Sequence, residues 1–113
     1  MQVGILVGRF QPLHIGHVQA IEFALKNSNK LFIVVGSAEK SNQKRNPFTF
    51  EERKKMIELA INDESLDKKR IEIIPINDAE NHAEWISSIK KAIGEYGLIF
   101  TNDEKLKCYL EKT

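Results

Sequence analysis

Short apolar runs alternate with helical patterns along the whole chain. Runs of strand length occupy residues 3–7, 31–35, 71–76 and 98–101. Between them apolar residues recur close to a 3.6-residue period, which predicts helices that begin near residues 15, 50 and 83. Asp103 is predicted to cap a last helix that runs through Leu106 and Leu110. Strands that alternate with helices predict an α/β fold with parallel strands, right-handed crossovers and helices on both faces.

Breaker and capping residues mark the ends of these elements. Gly8 bounds the first run, and Pro12 excludes regular structure just beyond it. Residues 37–49 are polar and predict a loop, and Pro75 indicates a strand end or an edge strand. Thr49 and Glu52 form the pattern of a capping box for the second helix. The inner side of that helix is predicted to carry Met56, Ile57, Leu59, Ala60 and Ile61.

Polar residues follow each predicted strand at its carboxyl end. These ends lead into the segments 8–17, 37–49, 77–85 and 101–103. In doubly wound parallel sheets, ligands bind at the carboxyl ends of the strands. The sequence therefore places one candidate site on this rim of the sheet.

The segment from Gly8 to His17 has the composition of an anion-binding loop. A strand, a tight loop and a helix start direct backbone N–H groups at one point, and Arg9 adds donors that match phosphate oxygens. His14 and His17 can both face this loop if the helix begins near residue 14 or 15, and Gly16 lacks a Cβ where a phosphate would approach. A single histidine is more often an ordinary surface or core residue. No cysteine or carboxylate nearby completes a zinc site, so we expect no metal bound by protein ligands.

Other rim residues have both structural and functional interpretations. Arg45 precedes a helix start, where a phosphate could meet its guanidinium and the helix dipole, whereas Lys40 and Lys44 suit a solvated loop equally well. Arg53 lies in the first turn of that helix, where a surface or salt-bridge role suits it as well as a functional role. Trp85 is either core or a wall that stacks on a planar ring. Its polar neighbours in sequence are Asp78, which could instead cap the helix or orient a ribose, and Asn81 and His82.

Composition limits the class of protein. The 113 residues predict one domain, residues 1–113, and a net charge of +1 gives no general signal for nucleic acid. The apolar runs are too short to span a membrane, and the chain begins directly with a strand, so no leader segment is expected. Cys108 is the single cysteine, so no internal disulfide is possible, and we expect this thiol to be inert. A cytoplasmic protein is the expectation.

The rim offers cations and N–H groups rather than a nucleophile paired with a base. This set suits phosphoryl or nucleotidyl transfer, in which one substrate phosphate attacks another and the protein positions them and neutralises charge. No carboxylate cage is evident, so Mg²⁺ is expected to arrive on a triphosphate.

Two blocks of sequence resemble a known family. Residues 8–12, Gly-Arg-Phe-Gln-Pro, followed by 14–17, His-Ile-Gly-His, resemble the signature of the HxGH nucleotidylyltransferases. This version of the signature is similar to that of the archaeal nicotinamide-nucleotide adenylyltransferases, and the similarity runs along nearly the whole chain. Later matches include residues 36–38, 47–49, 52–53 and 73–76, with Ser41, Arg45, Asp78 and Trp85.

The resemblance implies a Rossmann-like nucleotidyltransferase fold, with about four parallel strands in the order 3-2-1-4. It implies transfer of the adenylyl group of ATP to nicotinamide mononucleotide, which forms NAD and pyrophosphate in pyridine nucleotide biosynthesis. His14, His17, Arg9 and Arg45 would be catalytic. ATP would bind Gly8, Arg9, Phe10, His14, Gly16, His17, Arg45 and Asn102, and the acceptor would bind Ser37, Asp78, Asn81, His82 and Trp85. The partners would be these two substrates, without nucleic acid or membrane, in a homo-oligomer.

The chain departs from the family pattern at three places. His82 stands where the family usually has the Asn that bonds the carboxamide of the substrate. The family's second signature, Ser-x-x-x-[Ile/Val]-Arg after a fifth strand, is absent, so we expect a C-terminally shortened fold with an exposed sheet edge. Asn102-Asp103 also stands where the family tends to have Gly-Asn. Three alternatives follow: another phosphate acceptor for adenylyl or cytidylyl transfer, a nucleotide-binding module without catalysis, and an oligomerisation or scaffold domain that pairs through its edge.

Overall fold

A computed structural model describes residues 2–101 and 107–110 of the chain. Five strands and three α-helices are described, with a short 3-10 helix at Lys68–Arg70. The strands are β1 (Val3–Gly8), β2 (Lys30–Val35), β3 (Ile71–Pro75), β4 (Leu98–Thr101) and β5 (Lys107–Leu110). The helices are α1 (Ile15–Lys26), α2 (Phe50–Asp63) and α3 (His82–Ile93).

The described strands form one sheet in the order β3-β2-β1-β4-β5. The pairs β3-β2, β2-β1 and β1-β4 are parallel, which confirms the predicted order 3-2-1-4 of a Rossmann-like nucleotidyltransferase fold. β3 is an edge strand that ends at Pro75, as its proline predicted. Because β1 is central, the loop that follows it opens at the middle of the carboxyl rim.

Helices cover both faces of the sheet, as predicted. Neighbouring residues of a strand point to opposite faces, so Leu6 packs with α1 and α2 on one face while Ile5 packs with Ile89 of α3 on the other. Both strand residues are fully buried, which fits the continuous apolar runs of a sheet covered on both sides. Within residues 2–101, no helix is long and apolar enough to cross a membrane.

The predicted last helix is wrong where the structure describes it. Residues 107–110 form β5, which pairs antiparallel with β4 from Thr101↔Lys107 to Leu98↔Leu110. Without β5, the outer side of β4 would expose unpaired backbone groups, and pairing satisfies them. The exposed edge predicted beside the fourth strand is therefore covered by β5. Asp103 and Leu106 lie outside the described residues.

The capping box predicted for α2 is confirmed, but one residue of its predicted inner side is wrong. Thr49 Oγ1 accepts the N–H of Glu52 at 3.1 Å, and Glu52 Oε1 accepts the N–H of Thr49 at 2.9 Å. The buried stripe consists of Arg53, Ile57 and Ile61, which are four residues apart. Leu59 is 57% exposed because it lies two positions from Ile57 and points to the opposite side of the helix.

Candidate active site

A cavity of about 290 Å³ opens at the carboxyl end of β1. We call the loop from Gly8 to His17, which forms most of its wall, the cradle. Residues of the cradle lie beside one residue of the loop between β2 and α2. The lining consists of Gly8, Arg9, Phe10, Gln11, Pro12, His14, His17 and Arg45. The structure thus brings Arg45 to five of the cradle residues that were predicted to bind ATP: Gly8, Arg9, Phe10, His14 and His17.

Two imidazoles close the cradle at the start of α1. His14 is the N-cap of the helix, and its Nδ1 accepts the N–H of Gly16 at 3.1 Å. His17 Nδ1 accepts the N–H of His14 at 3.0 Å, which completes a reciprocal cap. The two rings lie 3.8 Å apart between centroids with an interplanar angle of 32°. Because both Nδ1 atoms accept backbone hydrogen bonds, the ring protons lie on the Nε2 atoms, which can donate to a ligand.

His17 is a neutral hydrogen-bond donor at pH 7. Its side chain is only 7% exposed and packs against the ring of Phe10, with 4.6 Å between ring centroids. Burial, with a smaller contribution from the charge of His14, lowers the pKa of His17 from 6.5 to about 4. A neutral ring with its proton on Nε2 donates to a phosphate oxygen without giving up that proton.

Gly16 makes room for the histidine stack. A Cβ at this position would lie 2.9 Å from Cε1 and 3.1 Å from Nδ1 of His14. The sequence suggested that Gly16 leaves space for an approaching phosphate. The structure shows that the space next to Gly16 is filled by the imidazole of His14, so any added side chain must displace that ring.

Phe10 fixes the path of the cradle backbone. It has a positive φ of 53°, which is uncommon for a residue other than glycine, while its side chain is almost completely buried. Gly8 permits this arrangement, because a Cβ there would lie 3.1 Å from the Phe10 ring. The buried ring therefore holds the backbone between Arg9 and Gln11 in a conformation that would cost of order 1 kcal/mol by itself.

Hydrogen bonds join the cradle to the segment before α2. The amide of Gln11 pairs with the backbone of Phe48, donating to its carbonyl at 3.0 Å and accepting its N–H at 2.8 Å. Arg9 donates to Oδ1 of Asn46 at 3.4 Å, and Asn46 is buried. These contacts explain why Arg45 lines the same cavity as Arg9. Gln11 was quoted only as part of the motif, and its linking role depends on a backbone partner 37 positions away.

A second group of polar residues lies after β2 and β3, and we call it the acceptor-side cluster: Ser37, Lys40 and Asp78. Ser37 donates to Oδ1 of Asp78 at 2.7 Å, and Lys40 forms an ion pair with Oδ2 of Asp78, also at 2.7 Å. The hydrogen bond from Lys40, followed by that from Ser37, holds the pKa of Asp78 below its ordinary value. The cluster presents an ionised carboxylate and a hydroxyl near the charge of Arg9.

The remaining predicted acceptor residues lie at the start of α3. Asn81 is the N-cap, and its side chain accepts the N–H of Glu84 at 2.9 Å, so Asp78 does not cap this helix. His82 stacks on Trp85 with 5.9 Å between ring centroids and an angle of 28°. Trp85 is partly buried against the core beneath α3. It therefore packs against the core and also presents an aromatic surface.

Asn102, which was predicted to bind ATP, lies outside the described residues. Within residues 2–101, no group of three or more His, Cys, Asp or Glu side chains is placed to hold a metal ion. The cavity lining offers hydrogen-bond donors and cations, a set that favours an anion.

Sequence reasoning left Arg53 open between a functional role and a surface or salt-bridge role, and it missed the burial of this side chain. Its side chain is fully buried, and its guanidinium donates only to backbone carbonyls among the described residues. The only signal in the sequence was its position in the first turn of a capped helix on the rim.

Curated relatives share about a third of their aligned residues with this chain. The nicotinamide-nucleotide adenylyltransferase of Thermococcus kodakarensis is 36% identical over 100 residues, which cover 88% of this chain and 53% of that protein. The enzyme of the same name from Pyrococcus furiosus is 36% identical over 104 residues, which cover 91% of this chain and 55% of that protein. The chain thus spans about half the length of the curated relatives it matches.

Solved structures show the same fold. A bifunctional NMN adenylyltransferase/ADP ribose pyrophosphatase from Francisella tularensis, complexed with AMP and a manganese ion, has a TM-score of 0.75 at 32% identity. The match covers 88% of this chain and 31% of that one. A nicotinic acid mononucleotide adenylyltransferase from Plasmodium falciparum has a TM-score of 0.59 at 18% identity, over 88% of this chain and 50% of that one, and supports the fold alone.

The sequence model of one family matches almost the whole chain, from residue 5 to residue 107. This range contains the cradle, the acceptor-side cluster and, except for the first two residues of β1, the parallel part of the sheet. The strand order and the helix that starts at the histidine pair agree with the match, and this chain belongs to the Cytidylyltransferase-like family.

Proposed function

We propose that this protein binds the triphosphate of ATP in the cradle and transfers the adenylyl group to nicotinamide mononucleotide. The observation that carries the proposal is the cavity at the end of β1, where two imidazoles and two guanidiniums line one space. The similarity to nicotinamide-nucleotide adenylyltransferases over about 90% of this chain supports the same reaction.

In the proposed reaction an oxygen of the acceptor 5′-phosphate attacks the α-phosphorus of ATP. The bond from that phosphorus to the bridging oxygen breaks, and pyrophosphate leaves with the electron pair. A phosphate monoester is largely ionised at pH 7, so the nucleophile needs no general base. The protein has to hold two anions together and stabilise the negative charge that develops on the transferred group.

The cradle residues suit these tasks. Arg9 and Arg45 would bind phosphates through guanidinium donors, which match phosphate geometry. His14 and His17 would donate through Nε2 to oxygens on which charge increases in the transition state. Gly8 and Phe10 would contact the nucleotide through backbone groups. Mg²⁺ would enter as part of the ATP substrate, coordinated by phosphate oxygens rather than by protein ligands.

The acceptor would lie between the acceptor-side cluster and the start of α3. The exposed part of Trp85 offers a stacking surface for a pyridine ring, and Asp78 offers a carboxylate to ribose hydroxyls. His82 stacks on Trp85 and would border the same ring. We further propose that the protein acts in the cytoplasm and as a homo-oligomer. Its one cysteine is compatible with a reducing compartment.

A substrate panel tests the proposal. The protein would be incubated with ATP or CTP and with nicotinamide mononucleotide, nicotinic acid mononucleotide or a sugar phosphate, and pyrophosphate release and product mass would be measured. We expect NAD from ATP and nicotinamide mononucleotide. Turnover with another acceptor alone would refute the pyridine assignment. Binding of ATP in calorimetry without turnover of any acceptor would identify a nucleotide-binding module, and no nucleotide binding would favour a scaffold.

A further inference from the structure

The guanidinium of Arg53 is buried against the carboxyl rim and is surrounded by backbone carbonyls. Its side chain is 0% exposed. Nε donates to the carbonyl of Thr49 within its own helix turn at 3.2 Å. The two terminal nitrogens donate at 3.0–3.3 Å to five further carbonyls, those of Arg9, Gly36, Ser37, Ala38 and Lys40.

The five carbonyls belong to two loops of the candidate site. One lies in the cradle, directly after β1, and four lie in the segment 36–40, directly after β2. Ser37 has a positive φ of 49°, so this part of the chain has left the regular ladder of the sheet. Buried and partly buried carbonyls outside a ladder need other donors, and the four N–H groups on the two terminal nitrogens of one guanidinium supply them to both loops at once.

The buried charge of Arg53 has no acidic partner within ion-pair distance in the part of the chain that the structure describes. Burial lowers the pKa of Arg53, and the charge of Glu39 partly opposes this effect. A guanidinium keeps its proton at neutral pH, so a positive charge remains behind the cradle. An anion bound on the other side of the loop would stabilise this buried positive charge, because opposite charges attract each other strongly in a region with little water.

We propose that Arg53 is a positioning residue, which holds the cradle and the segment 36–40 at the spacing that nucleotidyl transfer requires. The inference rests on the proposed function, because the cradle would bind ATP and the segment 36–40 carries Ser37 and Lys40 of the acceptor-side cluster. Arg53 does not contact substrate in this account. It acts through the carbonyl of Arg9 on one side and that of Ser37 on the other.

The proposal predicts a particular kinetic pattern. Arg53→Lys keeps the charge, but its ammonium cannot reach both loops with five fixed donors. Loss of spacing between the loops affects the reaction more than the binding of one substrate, so kcat should fall about 100-fold while the Kd for ATP changes by less than about fivefold.

The chain offers a matched control in Arg70. This arginine also donates to backbone carbonyls, those of Leu25, Ser28 and Asn29, at 2.6–3.1 Å. These carbonyls lie at the end of α1 and before β2, on the rim opposite the cradle. Arg70→Lys removes the same kind of contact and should leave kcat and the Kd for ATP at wild-type values.

Kinetics and calorimetry would be measured for the wild type and both variants, well below their melting temperatures. Equal changes in kcat for the two variants, or a normal kcat in Arg53→Lys, would overturn the positioning role. A wild type that binds no ATP would instead refute the proposed function. If Arg53→Lys does not fold, the proposal is tested on the wild type instead, by measuring backbone hydrogen exchange with and without inorganic triphosphate. Protection should extend from the cradle to residues 37–40, and protection confined to the cradle would overturn the proposal.

Discussion

The cradle and the acceptor-side cluster face the same rim but are built differently. In the cradle, His14, Gly16 and His17 are fixed by hydrogen bonds and ring contacts between residues at most three positions apart. In the cluster, the buried Ser37 donates to Asp78, 41 positions away, and Asp78 forms a solvent-exposed ion pair with Lys40. The hydrogen bonds and ring contacts around the buried His17 are short-range and fix the loop before ligand binds, whereas an exposed ion pair adds little stability and is weakened by salt. We therefore expect changes in the cradle to alter catalysis and changes on the acceptor side to alter selectivity.

The largest effect is expected at His17. His17→Asn keeps an acceptor where Nδ1 binds the N–H of His14, but it removes the Nε2 donor. We expect kcat to fall about 1,000-fold with little change in the Kd for ATP, because this contact strengthens as charge develops. His17→Gln, which can place an amide N–H near the position of Nε2, should retain more activity. Equal losses in kcat and ATP affinity would mean that His17 only anchors the ground-state phosphate.

The lowered pKa of His17 also predicts a pH dependence of stability. Between pH 6.5 and about 4 the unfolded chain binds a proton at this residue and the folded protein does not. The free energy of unfolding should therefore be highest above pH 6.5 and fall with pH in this window, by at most about 3 kcal/mol from this residue. Urea titrations at several pH values should show that the free energy of unfolding depends less on pH in His17→Asn than in the wild type. An identical dependence in both proteins would contradict the buried, neutral ring.

Gly16→Ala tests whether catalysis requires the observed positions of the stacked His14 and His17 rings. The new Cβ would meet the His14 ring at 2.9 Å, so the ring must move and its Nε2 loses its position. We expect kcat to fall by up to about 100-fold. Gly97→Ala is the control, since a Cβ there meets nothing within 4 Å. A normal kcat in Gly16→Ala would show that the position of His14 is unimportant.

The smallest kinetic effect is expected on the acceptor side. Trp85→Ala should raise the KM for the acceptor about fivefold and leave the Kd for ATP unchanged, because a stacking contact contributes about 1 kcal/mol. Steady-state kinetics with each substrate varied in turn would measure both effects. A lower melting temperature with unchanged acceptor kinetics would assign Trp85 to the core alone.

The same contrast explains which features could be predicted from the sequence. The cradle could, because its residues are contiguous and each type has a local reason to be there. The strand order and the capping box of α2 were also predictable. Arg53 and Gln11 could not be assigned, because the contacts that join the two loops are made to backbone atoms 44 positions away for Arg53 and 37 for Gln11, and any residue can supply a backbone atom. β5 was missed because the open edge of β4, rather than the spacing of Leu106 and Leu110, determines its conformation.

Side-chain NMR of the histidines tests the central claim most directly. The chain has three histidines: His14 and His17 in the cradle, and His82 on the acceptor side. Nitrogen spectra would be recorded during titration with a non-hydrolysable ATP analogue and Mg²⁺, followed by nicotinamide mononucleotide. We predict that the analogue shifts the Nε2 resonances of His14 and His17, and that His82 responds only to the mononucleotide. Analogue binding that leaves both cradle histidines unchanged would contradict the assignment of the cradle as the triphosphate site.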